Sequence, residues 1–165
     1  MIDVSKTDAG KPEPHPAASN PPSDPALSRR VRVLAAEDNP INQRVLAALM
    51  EPLGVELTLV GSGGEAIEAW RAEAWDVILM DIQMPGMSGV QATLAIRTAE
   101  SAEGRPRTPI VAVSANAMRH QMDEYRAAGM ELHVSKPIRA AALHAAVHAA
   151  LQLGQTEDPA QAVMS

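Results

Sequence analysis

Residues 76–81 read Asp-Val-Ile-Leu-Met-Asp, and residues 82–89 continue as Ile-Gln-Met-Pro-Gly-Met-Ser-Gly. Four large apolar residues between two aspartates, followed by a turn rich in proline and glycine, are typical of a short strand buried on both faces, as in a parallel sheet. Such a strand places Asp81 at its carboxyl end, the edge where open α/β sheets bind their ligands. The sequence therefore indicates Asp81 as the central functional residue.

The segments on either side of this strand alternate between strand-like and helix-like patterns. Helices are predicted to begin at Pro40, after a capping box formed by Ser62 and Glu65, at Ser88, near Met118 and near residue 139. The first helix should bury one apolar face, made of Val45, Leu46, Leu49, Met50 and Leu53. The third helix should run through the apolar residues Val90, Leu94 and Ile96. The strands are predicted at 31–36, 55–60, 76–81, 109–114 and 131–135. This alternation predicts a doubly wound α/β fold with a five-stranded parallel sheet and helices on both faces.

Composition limits the class of protein. The chain has 165 residues, is 46% hydrophobic, carries a formal net charge of -6 and contains no cysteine. These values fit one domain and exclude disulfides and thiolate sites, and the acidic balance argues against a nucleic-acid binder. We expect a disordered tail or linker at 1–29, the folded domain at 30–153 and a second disordered tail at 154–165. No apolar run of membrane-spanning length and no signal-peptide pattern is present, so we expect a cytoplasmic protein whose segment here makes no membrane contact.

Polar residues follow several of the predicted strands. They are three carboxylates, one hydroxyl and one ammonium group, supplied by Glu37, Asp38, Asp81, Ser114 and Lys136. Clustered carboxylates repel one another, and a divalent cation relieves that repulsion; a site made only of oxygen atoms favours Mg²⁺. Phosphoryl transfer needs mainly positioning and charge neutralisation, which these groups supply. The carboxylate of Asp81 is then the expected nucleophile and would form an acyl phosphate.

The motifs as an ordered set resemble a known family. They are Ala36-Glu37-Asp38-Asn39-Pro40-Ile41-Asn42, Leu79-Met80-Asp81-Ile82-Gln83-Met84-Pro85, Ser114-Ala115 and Lys136-Pro137. From Val31 to about Leu151 the chain resembles a response-regulator receiver domain, and most closely the receivers attached to hybrid histidine kinases. The resemblance implies a (βα)5 fold with flavodoxin-like strand order 2-1-3-4-5.

The resemblance also implies roles for individual residues. Asp81 would be the phosphoacceptor, Lys136 would contact the phosphoryl group, and Ser114 would be the switching hydroxyl. The implied Mg²⁺ ligands are Glu37, Asp38, Asp81 and the backbone carbonyl of Gln83, and the peptide bond before Pro137 is expected to be cis.

A partner is implied as well. A phosphohistidine on a histidine kinase or a histidine phosphotransfer protein would supply the phosphoryl group, and the added charge would draw Ser114 toward it and change a partner-binding surface. The domain would catalyse only its own phosphorylation and a slow autodephosphorylation, either as a separate protein or as part of a histidine kinase chain. The sequence indicates no particular oligomeric state.

Three positions depart from the family pattern or flank the site. His133 stands where the family usually carries Tyr or Phe, three residues before the lysine, so coupling to Ser114 could differ and could depend on pH, given the unperturbed imidazole pKa of about 6.5. Gln83 and Asn116 flank the site and are expected to tune the lifetime of the phosphate. Ser88 replaces a usual Asp, and both residues cap helices well.

Alternative interpretations concern other functions and other residues. The chain could be a constitutive docking or inhibitory module of a hybrid histidine kinase that does not depend on phosphorylation. A phosphomonoester hydrolase is disfavoured because it needs a second acid/base carboxylate two residues after the nucleophile, where this chain has Gln83. His144 and His148 have the i,i+4 spacing of metal ligands, but no third ligand is near in sequence, so a solvated helix face is favoured. The run 61–64 lacks the spacing of a dinucleotide-binding motif.

Overall fold

The structure is a computed structural model and describes residues 29–156. Its strands are β1 (Arg32–Ala36), β2 (Glu56–Val60), β3 (Val77–Asp81), β4 (Ile110–Ser114) and β5 (Leu132–Ser135). Its helices are α1 (Pro40–Met50), α2 (Gly63–Ala72), α3 (Gly89–Glu103), α4 (Arg119–Ala128) and α5 (Ala140–Thr156), with a short 3₁₀ turn at Glu51–Leu53. Every predicted strand and helix is therefore present.

The five strands form one parallel sheet in the order β2-β1-β3-β4-β5, as predicted. Two apolar clusters cover its two faces. Trp70 of α2, Ile96 of α3 and Tyr125 of α4 pack on one face, which we call the α3/α4 face. Leu46 of α1 and Leu143 of α5 belong to the cluster on the other, the α1/α5 face. All residues of β3 and β4 are buried because both strands are covered on both faces.

Two helices start at the serine caps expected from the sequence, but the capping box predicted at α2 is formed only in part, because Glu65 bonds to the amide of Gly61 and not to that of Ser62. The Ser88 hydroxyl accepts a hydrogen bond from the Gln91 amide, and the Gln91 side chain bonds back to the Ser88 amide, which completes a capping box. At α2 the Ser62 hydroxyl accepts from the Glu65 amide. The Glu65 carboxylate accepts from the amide of Gly61, which lies just before the cap. These bonds satisfy amides that no intrahelical partner could reach.

The predicted apolar face of α1 was only partly right. Leu46 and Met50 are buried, but Val45 is 43% exposed and Leu53 is 37% exposed. The α-helix ends at Met50, and Pro52, which has no amide hydrogen, lies in the 3₁₀ turn that follows. Val45 is about 100° around the helix from Leu46, which turns it away from the sheet.

Three further expectations concern core residues, the end of the domain and the tails. Leu94 is 48% exposed and Met118 59% exposed, so neither belongs to the core. Helix α5 extends to Thr156, three residues past the predicted domain end at 153. The remainder of the predicted tails, 1–28 and 157–165, lies outside the described residues. Within residues 29–156, no helix has both the length and the apolar character needed to cross a membrane.

Candidate functional site

Three carboxylates meet at the carboxyl edge of the sheet. Glu37 and Asp38 follow β1, and Asp81 ends β3, the neighbouring strand. One oxygen from each carboxylate lies within 4.8 Å of the others. Glu37 and Asp81 are 1% and 2% exposed, whereas Asp38 is exposed at the rim. The structure thus brings together the acidic residues that the sequence placed on adjacent strand ends.

Lys136, just after β5, completes the cluster. Its ammonium nitrogen Nζ lies 2.9 Å from Glu37 Oε2 and 3.0 Å from Asp81 Oδ2. The lysine side chain is 22% exposed, so its charge is partly shielded from solvent. A single cation therefore bridges the two buried carboxylates and offsets part of the repulsion between them.

The electrostatics of the three groups differ. Burial raises the pKa of Asp81, the negative charge of Glu37 raises it further, and Lys136 only partly offsets the rise. Burial also acts to raise the pKa of Glu37, but its bonds to Lys136, to the Asn39 amide and to Asn42 outweigh burial and leave the pKa lowered. The pKa of Lys136 is raised because its bonds to the two carboxylates outweigh burial, which acts in the opposite direction. Glu37 and Lys136 thus form the stably charged pair, whereas additional positive charge beside Asp81 would favour its charged form.

Backbone and amide donors orient the carboxylates. The Gln83 amide donates to Asp81 Oδ1 at 3.1 Å, and the Asn39 amide donates to Glu37 Oε1 at 3.1 Å. Asn42 donates to Glu37 Oε1 at 3.4 Å, a contact that the sequence analysis missed although Asn42 lies in the first acidic motif. The exposure of Gln83 puts its side chain at the rim of the site.

Gly89, the first residue of α3, is a second residue that the sequence analysis missed. It is buried, and its amide donates to the Ile82 carbonyl at 3.0 Å. A methyl carbon added to Gly89 would lie 2.9 Å from the carbonyl carbon of Asp81 and nearer still to its oxygen. The helix start can therefore approach the phosphoacceptor candidate only because residue 89 has no side chain.

The remaining predicted site residues, Ser114, Asn116 and Pro137, lie at or after the carboxyl ends of β4 and β5. Ser114, at the end of β4, is 3% exposed, and its Oγ contacts the Asn116 carbonyl at 2.7 Å and His133 Nε2 at 2.8 Å. The Lys136–Pro137 peptide bond is cis, as the resemblance implied. Asn116 is exposed, and its side chain is on the loop between β4 and α4.

A cleft of about 820 Å³ opens beside the site. It runs between the loop after β3 and the loop after β4, and Asp38, Gln83, Ser114 and Asn116 all line it. Solvent and ligands can therefore reach the rim of the acidic cluster from this side.

The histidine pair on α5 does not form a site. His144 Nε2 lies 2.6 Å from the Leu49 carbonyl, to which it donates, and so links α5 to α1. His148 pairs with Gln152 on the same helix. The expected solvated helix face therefore holds for His148, which is exposed, but not for His144, which is half-buried because it bonds to the backbone of α1.

Comparisons with known proteins agree with this geometry. The family model described as "Response regulator receiver domain" matches residues 33–148. A sensor protein, GacS of Pseudomonas syringae, is 43% identical over 114 residues, which are 69% of this chain and 13% of the relative. The chain thus spans about one eighth of the length of that curated relative.

Two solved structures share the fold. The receiver domain of the sensor histidine kinase PA1611 of Pseudomonas aeruginosa, with a magnesium ion in its active-site cleft, has a TM-score of 0.67 and 34% identity, covering 75% of this chain and 99% of that one. The receiver domain of Ssk1 in complex with the histidine phosphotransfer protein Ypd1, from Saccharomyces cerevisiae, has a TM-score of 0.68 and 28% identity, covering 78% and 91%. Together with the acidic cluster at the ends of β1 and β3, these matches show that the chain belongs to the response regulator receiver domain family of two-component signalling.

Proposed function

We propose that this receiver domain accepts a phosphoryl group from a phosphohistidine onto Asp81 in a Mg²⁺-dependent reaction and then switches a partner-binding surface. The observation that carries the proposal is the ammonium group of Lys136, which lies within hydrogen-bonding distance of both Glu37 and Asp81. A cation held at this position neutralises charge that arrives with a phosphoryl group, and a strand-end carboxylate beside it can act as the nucleophile.

The transfer is a displacement at phosphorus. An oxygen of Asp81 forms the new P–O bond, the P–N bond to the donor imidazole breaks, and its electron pair returns to the imidazole nitrogen. Lys136 then stabilises the negative charge on the phosphoryl oxygens. Hydrolysis of the acyl phosphate by water returns Asp81 to its starting state, and we expect this autodephosphorylation to be slow because no second carboxylate stands at Gln83 to act as a base.

The donor set fits a hard divalent cation. Glu37, Asp38 and Asp81 offer carboxylate oxygens within 4.8 Å of one another, and the carbonyl of Gln83 is the proposed fourth protein ligand. Mg²⁺ prefers oxygen ligands and retains several waters, so few protein ligands suffice. When bound, the ion would add positive charge at the phosphoryl oxygens. The magnesium ion in the PA1611 receiver supports this assignment.

The phosphoryl donor must dock close to Asp81, because that carboxylate is almost fully buried. Helix α1 begins two residues after Asp38, and its outer face presents Ile41 and Val45, which are 71% and 43% exposed. Exposed apolar side chains beside a reaction site are typical of a docking surface. The complex between Ssk1 and Ypd1 supports a histidine phosphotransfer protein as one kind of partner. A histidine kinase, including one in the same chain, is the other.

The decisive test is the intact mass of the protein after incubation with acetyl phosphate and Mg²⁺. We expect the wild type to gain about one phosphoryl group, Asp81→Asn to gain none and the exposed-carboxylate control Asp123→Asn to behave as the wild type. Omission of Mg²⁺ should suppress the gain. If the wild type gains no mass although Mg²⁺ binding is intact, the proposal fails, and the constitutive docking module becomes the better explanation.

A further inference from the structure

The hydroxyl of Ser114 is engaged by two partners in the unphosphorylated structure. Its Oγ lies 2.7 Å from the Asn116 carbonyl oxygen and 2.8 Å from His133 Nε2. A carbonyl can only accept, so the single hydroxyl proton goes to Asn116. The bond to the imidazole must then run in the other direction, with Nε2–H of His133 donating to the serine oxygen. The switching hydroxyl therefore has no proton free to donate to a phosphoryl group.

These partners hold Ser114 on one face of the sheet. His133 stands beside Ala112 in the register of β4 and β5, and Ala112 belongs to the cluster on the α3/α4 face. Ser114 follows Ala112 by two residues and so shares that face. Asp81 follows Leu79 by two residues, and Leu79 belongs to the α1/α5 face. Within residues 29–156, the Ser114 hydroxyl makes no hydrogen bond to Asp81 or to the side chain of Lys136; Ser114 meets Lys136 only through the backbone, where the Lys136 amide donates to the Ser114 carbonyl at 2.8 Å.

The imidazole of His133 is itself held in place. Its ring stacks on Tyr125 of α4, with centroids 5.9 Å apart and planes 23° apart, and Tyr125 is buried. Burial lowers the pKa of His133, which favours a neutral ring at neutral pH. A cavity of about 190 Å³ adjoins His133 and Tyr125, so the ring has space into which it can turn if it loses its acceptor.

We propose that His133 is a positioning residue that restrains the Ser114 hydroxyl in the unphosphorylated conformation. A phosphoryl group on Asp81 must then compete with the imidazole and the Asn116 carbonyl for this hydroxyl. The inference rests on the proposed function, because it takes Asp81 as the phosphoacceptor. His133 thus has two roles: its ring packs against Tyr125, and its hydrogen bond to Ser114 opposes the movement of that hydroxyl toward Asp81.

The first variant, His133→Phe, removes the N–H group that donates to Ser114 but keeps an aromatic ring at this position. His133→Phe can still stack on Tyr125 but donates nothing to Ser114, so the switched conformation should gain population about fivefold, the factor given by one hydrogen bond of typical net strength. His133→Gln retains an N–H donor and should stay close to the wild type. His148→Phe, at an exposed position of α5, is the control for loss of an imidazole elsewhere.

The measurement is the affinity for beryllium fluoride, a phosphoryl mimic, in the presence of Mg²⁺ by isothermal titration calorimetry. We expect His133→Phe to bind about fivefold more tightly than the wild type, because apparent affinity rises with the competent fraction. In a Ser114→Ala background the same substitution should have no effect, which a purely structural role for His133 would not predict. Far-UV circular dichroism of each variant checks that it is folded.

The outcomes separate the two proposals. If acetyl phosphate modifies neither the wild type nor any His133 variant at Asp81, although Mg²⁺ binding is intact, the proposed function fails. If Asp81 is modified but His133→Phe binds the mimic as the wild type does, the restraint does not exist. If the gain in affinity persists without the Ser114 hydroxyl, His133 acts through packing alone, and the inference is overturned.

Discussion

Substitution of Gly89 by alanine tests how the start of α3 positions Asp81. The added methyl carbon would lie 2.9 Å from the carbonyl carbon of Asp81, whereas ordinary contacts begin near 3.4 Å. Two of the three nearest atoms are the carbonyl carbon and oxygen of Asp81, and the third is Cγ of Met80, so a side-chain movement alone cannot relieve the contact and a shift of at least about half an ångström in β3 or in the helix start is required. Overpacking of this kind costs about 2 kcal/mol of unfolding free energy.

The same shift should affect the chemistry. Asp81 is held between Lys136 and the Gln83 amide, and displacement of its backbone disturbs both contacts. Because a misplacement of about 1 Å can reduce a reaction rate about 100-fold, half that distance should slow phosphorylation roughly tenfold. The assays are urea unfolding and the initial rate of mass gain with acetyl phosphate and Mg²⁺.

The chain offers a matched control in Gly64, the second residue of α2. A methyl group there would meet only the Ser62 hydroxyl oxygen, at 4.0 Å. Gly64→Ala should therefore be neutral or stabilising by up to about 1 kcal/mol, as expected for helix propensity, with an unchanged rate. Should Gly89→Ala match the wild type in both stability and rate, the close approach of α3 to Asp81 would have no functional consequence, and the reasoning would be refuted.

Three further predictions concern the charged cluster, the docking surface and the switch. In urea unfolding without divalent cations, Lys136→Met should lower the unfolding free energy by about 2 kcal/mol. This loss is smaller than that for a fully buried ion pair because the lysine is partly exposed. Excess Mg²⁺ should restore part of the lost stability, since it also relieves the repulsion between the carboxylates. Ile41→Ser should reduce phosphotransfer from a histidine phosphotransfer protein about tenfold without changing the acetyl phosphate rate, because only the protein donor needs the apolar contact. On acidification from about pH 7.5 to about pH 5, the wild type should lose more stability than His133→Phe. Burial lowers the folded-state pKa of His133 below its unfolded value of about 6.5, so the unfolded chain binds a proton first as the pH falls. The stability that the neutral His133 contributes is therefore lost as the pH falls from about 6.5 through the folded-state pKa.

Each of these predictions has a contrary outcome. Equal destabilisation of Lys136→Met with and without Mg²⁺ would mean that carboxylate repulsion is not what the lysine relieves. For the docking surface, Leu94→Ser on α3 is the control, since Leu94 is a comparably apolar exposed residue; equal loss in both variants would argue against α1 as the docking site. Parallel pH profiles for the wild type and His133→Phe would show that burial does not perturb the imidazole.

Much of the site could be predicted because it depends on strand polarity. In a parallel sheet, every strand ends at the same edge, so the residues after Ala36, Met80 and Ser135 had to meet there if the five strands existed. The apolar run before Asp81 and the turn after it were enough to identify the central strand. Gly89 was part of the quoted turn, but only packing reveals that its missing side chain makes space for the backbone of Asp81.

The sequence by itself determined the alternation of strands and helices, the parallel sheet and the gathering of Asp81 with its acidic neighbours, because these follow from local apolar periodicity and chain direction. Only the tertiary structure decided which donor meets which acceptor: Lys136 reaches Glu37 across 99 positions of sequence, and Ser114 bonds to His133 instead of to the acidic cluster. Such contacts depend on side-chain direction and on distances of a few tenths of an ångström between elements distant in sequence. Local sequence patterns specify neither side-chain direction nor these distances, because both depend on the packing of the whole domain.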